Sequence, residues 1–122
     1  MDQPHVSIII PALNNENTII ESLDSLFRQD YLEKNPNSVE IIIIDDNSKD
    51  NTSSLVKDFF HDKKIKNKIV INKQNLGLAA SYNRGIEISK GSYIVTMHAD
   101  VVLKKNALSE LISALDEDPT VP

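Results

Sequence analysis

Two adjacent carboxylates, Asp45 and Asp46, follow directly on four isoleucines, Ile41 to Ile44, and His98 and Asp100 stand two apart just beyond the apolar run from Tyr93 to Met97. A third polar segment, Pro11-Ala12-Leu13-Asn14-Asn15-Glu16, follows the apolar run from Val6 to Ile10. An ionised carboxylate only accepts hydrogen bonds, so Asp45 and Asp46 can pair with a ligand's N–H or O–H donor but gain nothing from a bare anion. Asp100 offers a second acceptor-only carboxylate, and His98 beside it a ring nitrogen that can donate or accept. Each segment also has a plainer reading. Asp-Asp-Asn-Ser is turn and cap chemistry, Asn14-Asn15-Glu16 is a polar loop, and His98 is a satisfied histidine beside a cap.

The elements that must position these groups are short. Val6 to Ile10 and Val39 to Ile44 are β-branched runs too continuous for half-exposed strands, so they read as strands covered on both faces, and Ile69 to Ile71 and Tyr93 to Met97 look similar. Helical periodicity falls between and after them: Ile19, Leu23, Leu26 and Phe27; Leu55, Val56, Phe59 and Phe60; Ala79, Tyr82 and Ile86; Leu108, Leu111, Ile112 and Leu115. Strand and helix alternate four times, which predicts an α/β fold with a mostly parallel sheet and helices on both faces. Thr18-x-x-Glu21 reads as a capping box, Asp50 or Asn51 as the cap of the second helix, Gly91 as a helix stop and Pro119 as the end of the last helix. Asn35 to Ser38 reads as a loop, and Lys63 to Lys68 as a solvated basic turn. In open parallel sheets ligands bind beyond the carboxyl ends of the strands, so the segments at Pro11, Asp45, Asn75-Leu76-Gly77 and His98 converge on one edge.

The bulk properties bound the answer. A chain of 122 residues, 40% hydrophobic and 25% charged, makes a single domain over 1–122. A net charge of −5 excludes the electrostatic footprint of a nucleic-acid or anionic-membrane binder. Cysteine is absent, which removes disulfides, thiolate zinc sites and thiol nucleophiles. No apolar run reaches the length of a membrane span, and Met1-Asp2-Gln3-Pro4 is not the start of a signal peptide. The expectation is a soluble, cytoplasmic segment, peripheral to the inner face of the membrane at most in a full-length protein.

Taken in order, "VSIIIPALNNENTIIESLDSL", "VEIIIIDDNSKDNT" and "NLGLAASYNRGIEISKGSYIVTMHADVVL" resemble the nucleotide-binding half of family-2 glycosyltransferases of the GT-A fold, over roughly Val6 to Leu115. The resemblance implies a Rossmann-like donor domain and inverting transfer of a sugar from a nucleoside-diphosphate donor, uridine diphosphate by default, to an acceptor hydroxyl on an unspecified glycan, lipid or protein. It implies that Pro11, Ala12, Leu13, Asn14 and Glu16 border the nucleoside. Asp46 is implied to receive the imide N–H of the base, while Asp45 holds the turn. Asn75, Gly77, Asn83, His98 and Ala99 complete the implied nucleotide site, and Asp100 is the implied ligand of a divalent metal, Mn or Mg. Two positions depart from the family pattern. Histidine 98 stands where the first acid of the D-x-D element is common, and Tyr82 stands where an arginine often precedes Asn83.

The resemblance places the general base beyond the metal element, so the chain reads as a C-terminally truncated donor-domain fragment, inactive alone. Asp116, Glu117 and Asp118 are bases by residue type only. A sheet edge or apolar patch left open would favour a homo-oligomer. Two other classes compete: a nucleotide-binding or interaction module that has lost transfer, and a receiver-like signalling domain. A receiver would carry its acidic pair after the first strand, which here ends in Pro11. G-x-G-x-x-G does not follow the first strand, and G-x-x-x-x-G-K-[ST] is absent.

Overall fold

β-Branched side chains dominate Val6–Ala12 and Val39–Asp45, and both segments are strands, β1 and β2, buried along their whole length. A computed structural model of the chain describes residues 4–117. Around the two central strands lie Lys66–Ile71 (β3) and Tyr93–Thr96 (β4), all parallel, in the order β3-β2-β1-β4. The helices are Ile19–Phe27 (α1), Asp30–Lys34 (α2), Thr52–Phe60 (α3), Leu78–Ile88 (α4) and Ala107–Glu117 (α5). None of the described helices is long and apolar enough to cross a membrane.

Period-two alternation sorts the isoleucines between two layers. Ile8, Ile10, Ile41 and Ile43 face α1, α3 and α5 through Leu23, Leu26, Val56, Phe60, Leu108 and Ile112. Ile9, Ile42 and Ile44 face the other way, onto Tyr82 and Ile88 of α4. Each fully buried side chain of this size contributes roughly 1.5–3 kcal/mol. Helix α4 approaches closely because Gly85 lacks a Cβ: one built there would stand 2.5 Å from Ile9 Cγ2.

The sheet order reverses at β1, which sends the chain to β2 and β3 on one side and receives β4 on the other. Pro11 marks that point. Residues 9 and 11 point their backbone groups to the same side, and the Ile9 carbonyl accepts from Met97 N–H. The side on which Pro11 lacks a donor is therefore the one that β4, ending at Thr96, has already left, so no ladder bond is lost. The opening between the two strand tips is where a ligand can enter.

Several local expectations are corrected. The hydroxyl of Thr18 does not cap α1; it donates to the carbonyl of Ala99 at 3.1 Å. Neither does the Asn51 side chain cap α3, although it occupies the N-cap position; Asp50 accepts from the N–H of Thr52 at 2.9 Å instead. Gly91 is not a helix stop. Helix α4 ends at Ile88, and a Cβ on Gly91 would meet Ser7 N at 2.6 Å, so the position serves close passage of the chain past β1. The basic turn is half strand, since Lys66 and Lys68 lie in β3, where charge protects an edge. Pro36–Ser38 forms a 3-10 turn rather than an open loop. The stop expected at Pro119 lies outside the described residues.

Candidate functional site

The first two strand ends are sewn to each other. Asn14 and Asn47 both adopt left-handed backbone, with φ of 53° and 62°, which asparagine tolerates better than most residues. Asn14 N–H donates to Ser48 Oγ at 2.9 Å, and Asn14 Oδ1 accepts from Lys49 N–H at 2.8 Å. Asn15 N–H donates to Thr52 Oγ1, Glu16 N–H to Asp50 Oδ2, and Glu16 Oε1 accepts from Asn51 N–H. Burial raises the Asp50 carboxyl, but hydrogen bonds from Thr52 and from Glu16 N–H hold it below the usual carboxylate range. These bonds make a stiff platform from two loops.

The paired carboxylates then separate in role. Asp45 turns into its own loop, accepting from Ser48 N–H at 3.0 Å and Ser48 Oγ at 2.6 Å. Asp46 turns toward the third strand end. Its Oδ1 accepts from Leu76 N–H at 2.8 Å and the Asn72 amide at 2.9 Å, and its Oδ2 accepts from Gly77 N–H at 3.0 Å. Burial pushes the Asp46 carboxyl up. The N–H of Leu76, the Asn72 amide, the N–H of Gly77 and the Asn75 amide outweigh it and hold the group below the usual range. Asp46 is therefore an ionised acceptor at neutral pH, set at the N-terminus of α4, where negative charge is favoured.

A cleft of about 310 Å³ opens beside it. Pro11, Ala12, Leu13 and Asn15 form one wall, His98, Ala99 and Asp100 another, and Asp46, Asn75, Gly77, Leu78 and Ser81 the rest. Leu13, Leu76 and Leu78 are exposed around this region and offer apolar surface against which a ring could lie. The cleft thus combines an ionised acceptor in its floor with apolar edges, as small-molecule sites do.

Nine of the residues singled out from sequence meet in this cleft: Pro11, Ala12, Leu13, Asp46, Asn75, Gly77, His98, Ala99 and Asp100. Asn14, Glu16 and Asp45 do not line it, because their side chains are spent on the loop platform. Asn83 is exposed on α4 and also falls outside the lining. Asn15, Leu78 and Ser81 were not legible in advance. Asn15 is distinguished from Asn14 only by a backbone twist, after which its Oδ1 accepts from Leu13 N–H at 2.8 Å. Asp116, a base by type alone, sits at the opposite end of the sheet, where it accepts from the Tyr93 hydroxyl at 2.7 Å; Asp118 lies outside the described residues.

His98 and Asp100 flank the buried Ala99, whose carbonyl is held by Thr18 Oγ1 at 3.1 Å and Ser22 Oγ at 3.0 Å. Both the His98 and Asp100 side chains are exposed, and both residues line the cleft. Among the described residues no group of three His, Cys, Asp or Glu side chains could hold a metal ion. One carboxylate and a neighbouring imidazole fit an ion that shares its coordination with a ligand's phosphates, as magnesium sites do.

Comparison with known proteins places the chain in a family. Residues 7–121 match the family described as "Glycosyl transferase family 2". An uncharacterised glycosyltransferase of Haemophilus influenzae is 36% identical over 94% of this chain and 34% of its own length. The Escherichia coli protein named UDP-Glc:alpha-D-GlcNAc-diphosphoundecaprenol beta-1,3-glucosyltransferase WfgD is 33% identical over 94% of this chain and 42% of its own. Among solved structures, the mannosyltransferase PcManGT of Pyrobaculum calidifontis, in complex with GDP-Man and Mn2+, superposes with a TM-score of 0.88 at 27% identity over 97% of this chain and 34% of that one. TarS 1-349 of S. aureus, in complex with UDP-GlcNAc, gives 0.80 at 26% identity over 92% and 31%. The chain spans about a third of the length of most of these relatives. Family match and structural likeness agree, and the chain belongs to glycosyl transferase family 2, with the fold of the nucleotide-binding half of GT-A enzymes.

Proposed function

We propose that this chain forms the donor-binding part of an inverting glycosyltransferase, which transfers a sugar from a nucleoside diphosphate to an acceptor hydroxyl. The observation that carries this reading is Asp46, an ionised acceptor fixed in the floor of the cleft at the switch point of the sheet. Uracil and guanine each present a ring N–H that such a carboxylate can accept. The exposed Asn75, which lines the same cleft as Asp46, is the side chain that a base would displace. Uridine is favoured: the TarS structure holds UDP-GlcNAc and the Escherichia coli relative is named for UDP-Glc, whereas the Pyrobaculum enzyme holds GDP-Man.

The diphosphate would then lie toward Asp100 and His98. A divalent ion bound there would neutralise the charge that develops on the leaving group. The protein's own part is to keep the Asp100 carboxylate at the cleft wall, which the Thr18 and Ser22 hydroxyls do by holding Ala99. A second reading, a nucleotide-binding module without transfer, is favoured by the histidine at position 98 and predicts binding that ignores the metal.

Thermal unfolding of the chain with uridine, guanosine, thymidine and cytidine diphosphates, each with and without manganese, tests the proposal. A ligand bound only to the folded state raises the midpoint, and the rise grows with the logarithm of ligand concentration above its Kd. A rise with one imide-bearing nucleotide that needs manganese supports the donor site. A midpoint unmoved by all four would contradict it.

A further inference from the structure

The geometry points to Asn72 and Arg84 as positioning residues for base preference: Arg84 fixes the orientation of the Asn72 amide, and that amide fixes which oxygen of Asp46 is left for the base. The inference rests on the proposed donor site.

Asn72 follows β3 directly and is 1% exposed. Its backbone N–H donates to the Asp45 carbonyl at 2.8 Å, so its place beside the acidic pair is set by the main chain. Its side chain is held from both ends. The amide nitrogen donates to Asp46 Oδ1 at 2.9 Å and lies 3.3 Å from Ser81 Oγ, while the amide oxygen accepts from an Arg84 guanidinium nitrogen at 2.8 Å. Ser81 and Arg84 stand three apart on α4 and therefore share a face.

A guanidinium only donates and a carboxylate only accepts, so an asparagine between them has a single orientation that satisfies both. Aspartate at position 72 would set two negative charges together, and an apolar residue would leave both partners unpaired. The cation on the amide oxygen also polarises the amide and strengthens the bond that its N–H₂ makes to Asp46.

The consequence concerns the two carboxylate oxygens. With Asn72 fixed, Oδ1 accepts from both Asn72 and Leu76, which fills its two lone pairs, whereas Oδ2 accepts from the Gly77 backbone alone among main-chain donors. A base N–H is directed to Oδ2. Without the Arg84 cation the amide oxygen loses its partner, the bond from the Asn72 N–H₂ to Oδ1 weakens, and the bias of the base toward Oδ2 relaxes.

Arg84→Met removes the donor while keeping an extended side chain on an exposed helical position, and Arg84→Lys restores a cation. Calorimetric titration with uridine and cytidine diphosphates at neutral pH, and with uridine diphosphate across the acid range, reads the effect, because neutral cytosine has no ring N–H. Arg84→Met is expected to weaken uridine diphosphate binding about tenfold. It should also narrow the preference for uridine over cytidine and move the acid limb of binding to higher pH, with Arg84→Lys between the two. Unchanged preference and an unchanged acid limb in Arg84→Met would overturn the inference. If the unmodified chain binds no nucleotide, the donor reading fails on its own, and carbon NMR titration of the Asp46 carboxyl decides this one: an upward displacement in Arg84→Met supports it, and an identical titration overturns it.

Discussion

The hydroxyl of Thr18 donates to the carbonyl of Ala99 across 81 positions of the chain, at 3.1 Å. Ser22 Oγ reaches the same oxygen at 3.0 Å from the next turn of α1. One carbonyl between His98 and Asp100 thus receives two hydroxyls, and α1 holds the tip that follows β4.

Removing that hold should loosen the segment and spare the sheet. Ser22 is buried, so Ser22→Ala should lower stability by about 1 kcal/mol, and the double variant with Thr18→Ala by about 2 kcal/mol. Urea denaturation measures the loss. Amide exchange should accelerate at residues 98–101 while β1 and β2 stay protected; uniform acceleration would assign the hydroxyls to general stability instead.

The acidic floor of the cleft also makes a pH prediction. The folded-state pKa of Asp46 is depressed by its hydrogen-bond donors, so its contribution to stability is full above the unfolded value of about 3.9 and is lost as pH falls through the lower folded value. Asp46→Asn should therefore reduce stability near neutrality by about 1–3 kcal/mol and flatten the decline below pH ~4. Denaturation midpoints of both proteins between pH 2 and 7, measured as about ten paired curves, would show this; parallel acid slopes would refute it.

Two glycines should differ in how they respond to alanine. A Cβ on Gly91 would meet backbone, Ser7 N at 2.6 Å and Val6 C at 2.8 Å, whereas one on Gly85 would meet the Ile9 side chain. Backbone cannot turn aside. Gly91→Ala should be the more damaging, by roughly 1–3 kcal/mol or more, and Gly85→Ala partly relieved by a shift of Ile9. Equal melting temperatures for the two variants would contradict this account.

The sequence made the central layer legible because β1 and β2 each hold an unbroken run of isoleucines behind a valine, and a strand covered on both faces needs no alternation. It concealed the first half of β3, where Lys66 and Lys68 guard an edge and look like a solvated turn. Helix α2 spans only Asp30–Lys34, too short to display a helical period. Thr18 and Glu21 satisfy the capping-box pattern, yet a carbonyl brought by the fold claims the hydroxyl. In the site, the four strand ends could be placed by topology alone. Which of Asn14 and Asn15 faces the cleft depends on a left-handed residue, and the Arg84–Asn72–Asp46 chain depends on contacts that spacing does not encode.

The central claim is that Asp46 and Asp100 belong to one donor site, and calorimetric titration with uridine diphosphate, with and without manganese, tests it most directly. The account predicts manganese-dependent binding by the unmodified chain that is abolished in Asp46→Ala and loses its manganese dependence in Asp100→Ala. Binding of equal strength in all three proteins, or none by a folded unmodified chain, would contradict it.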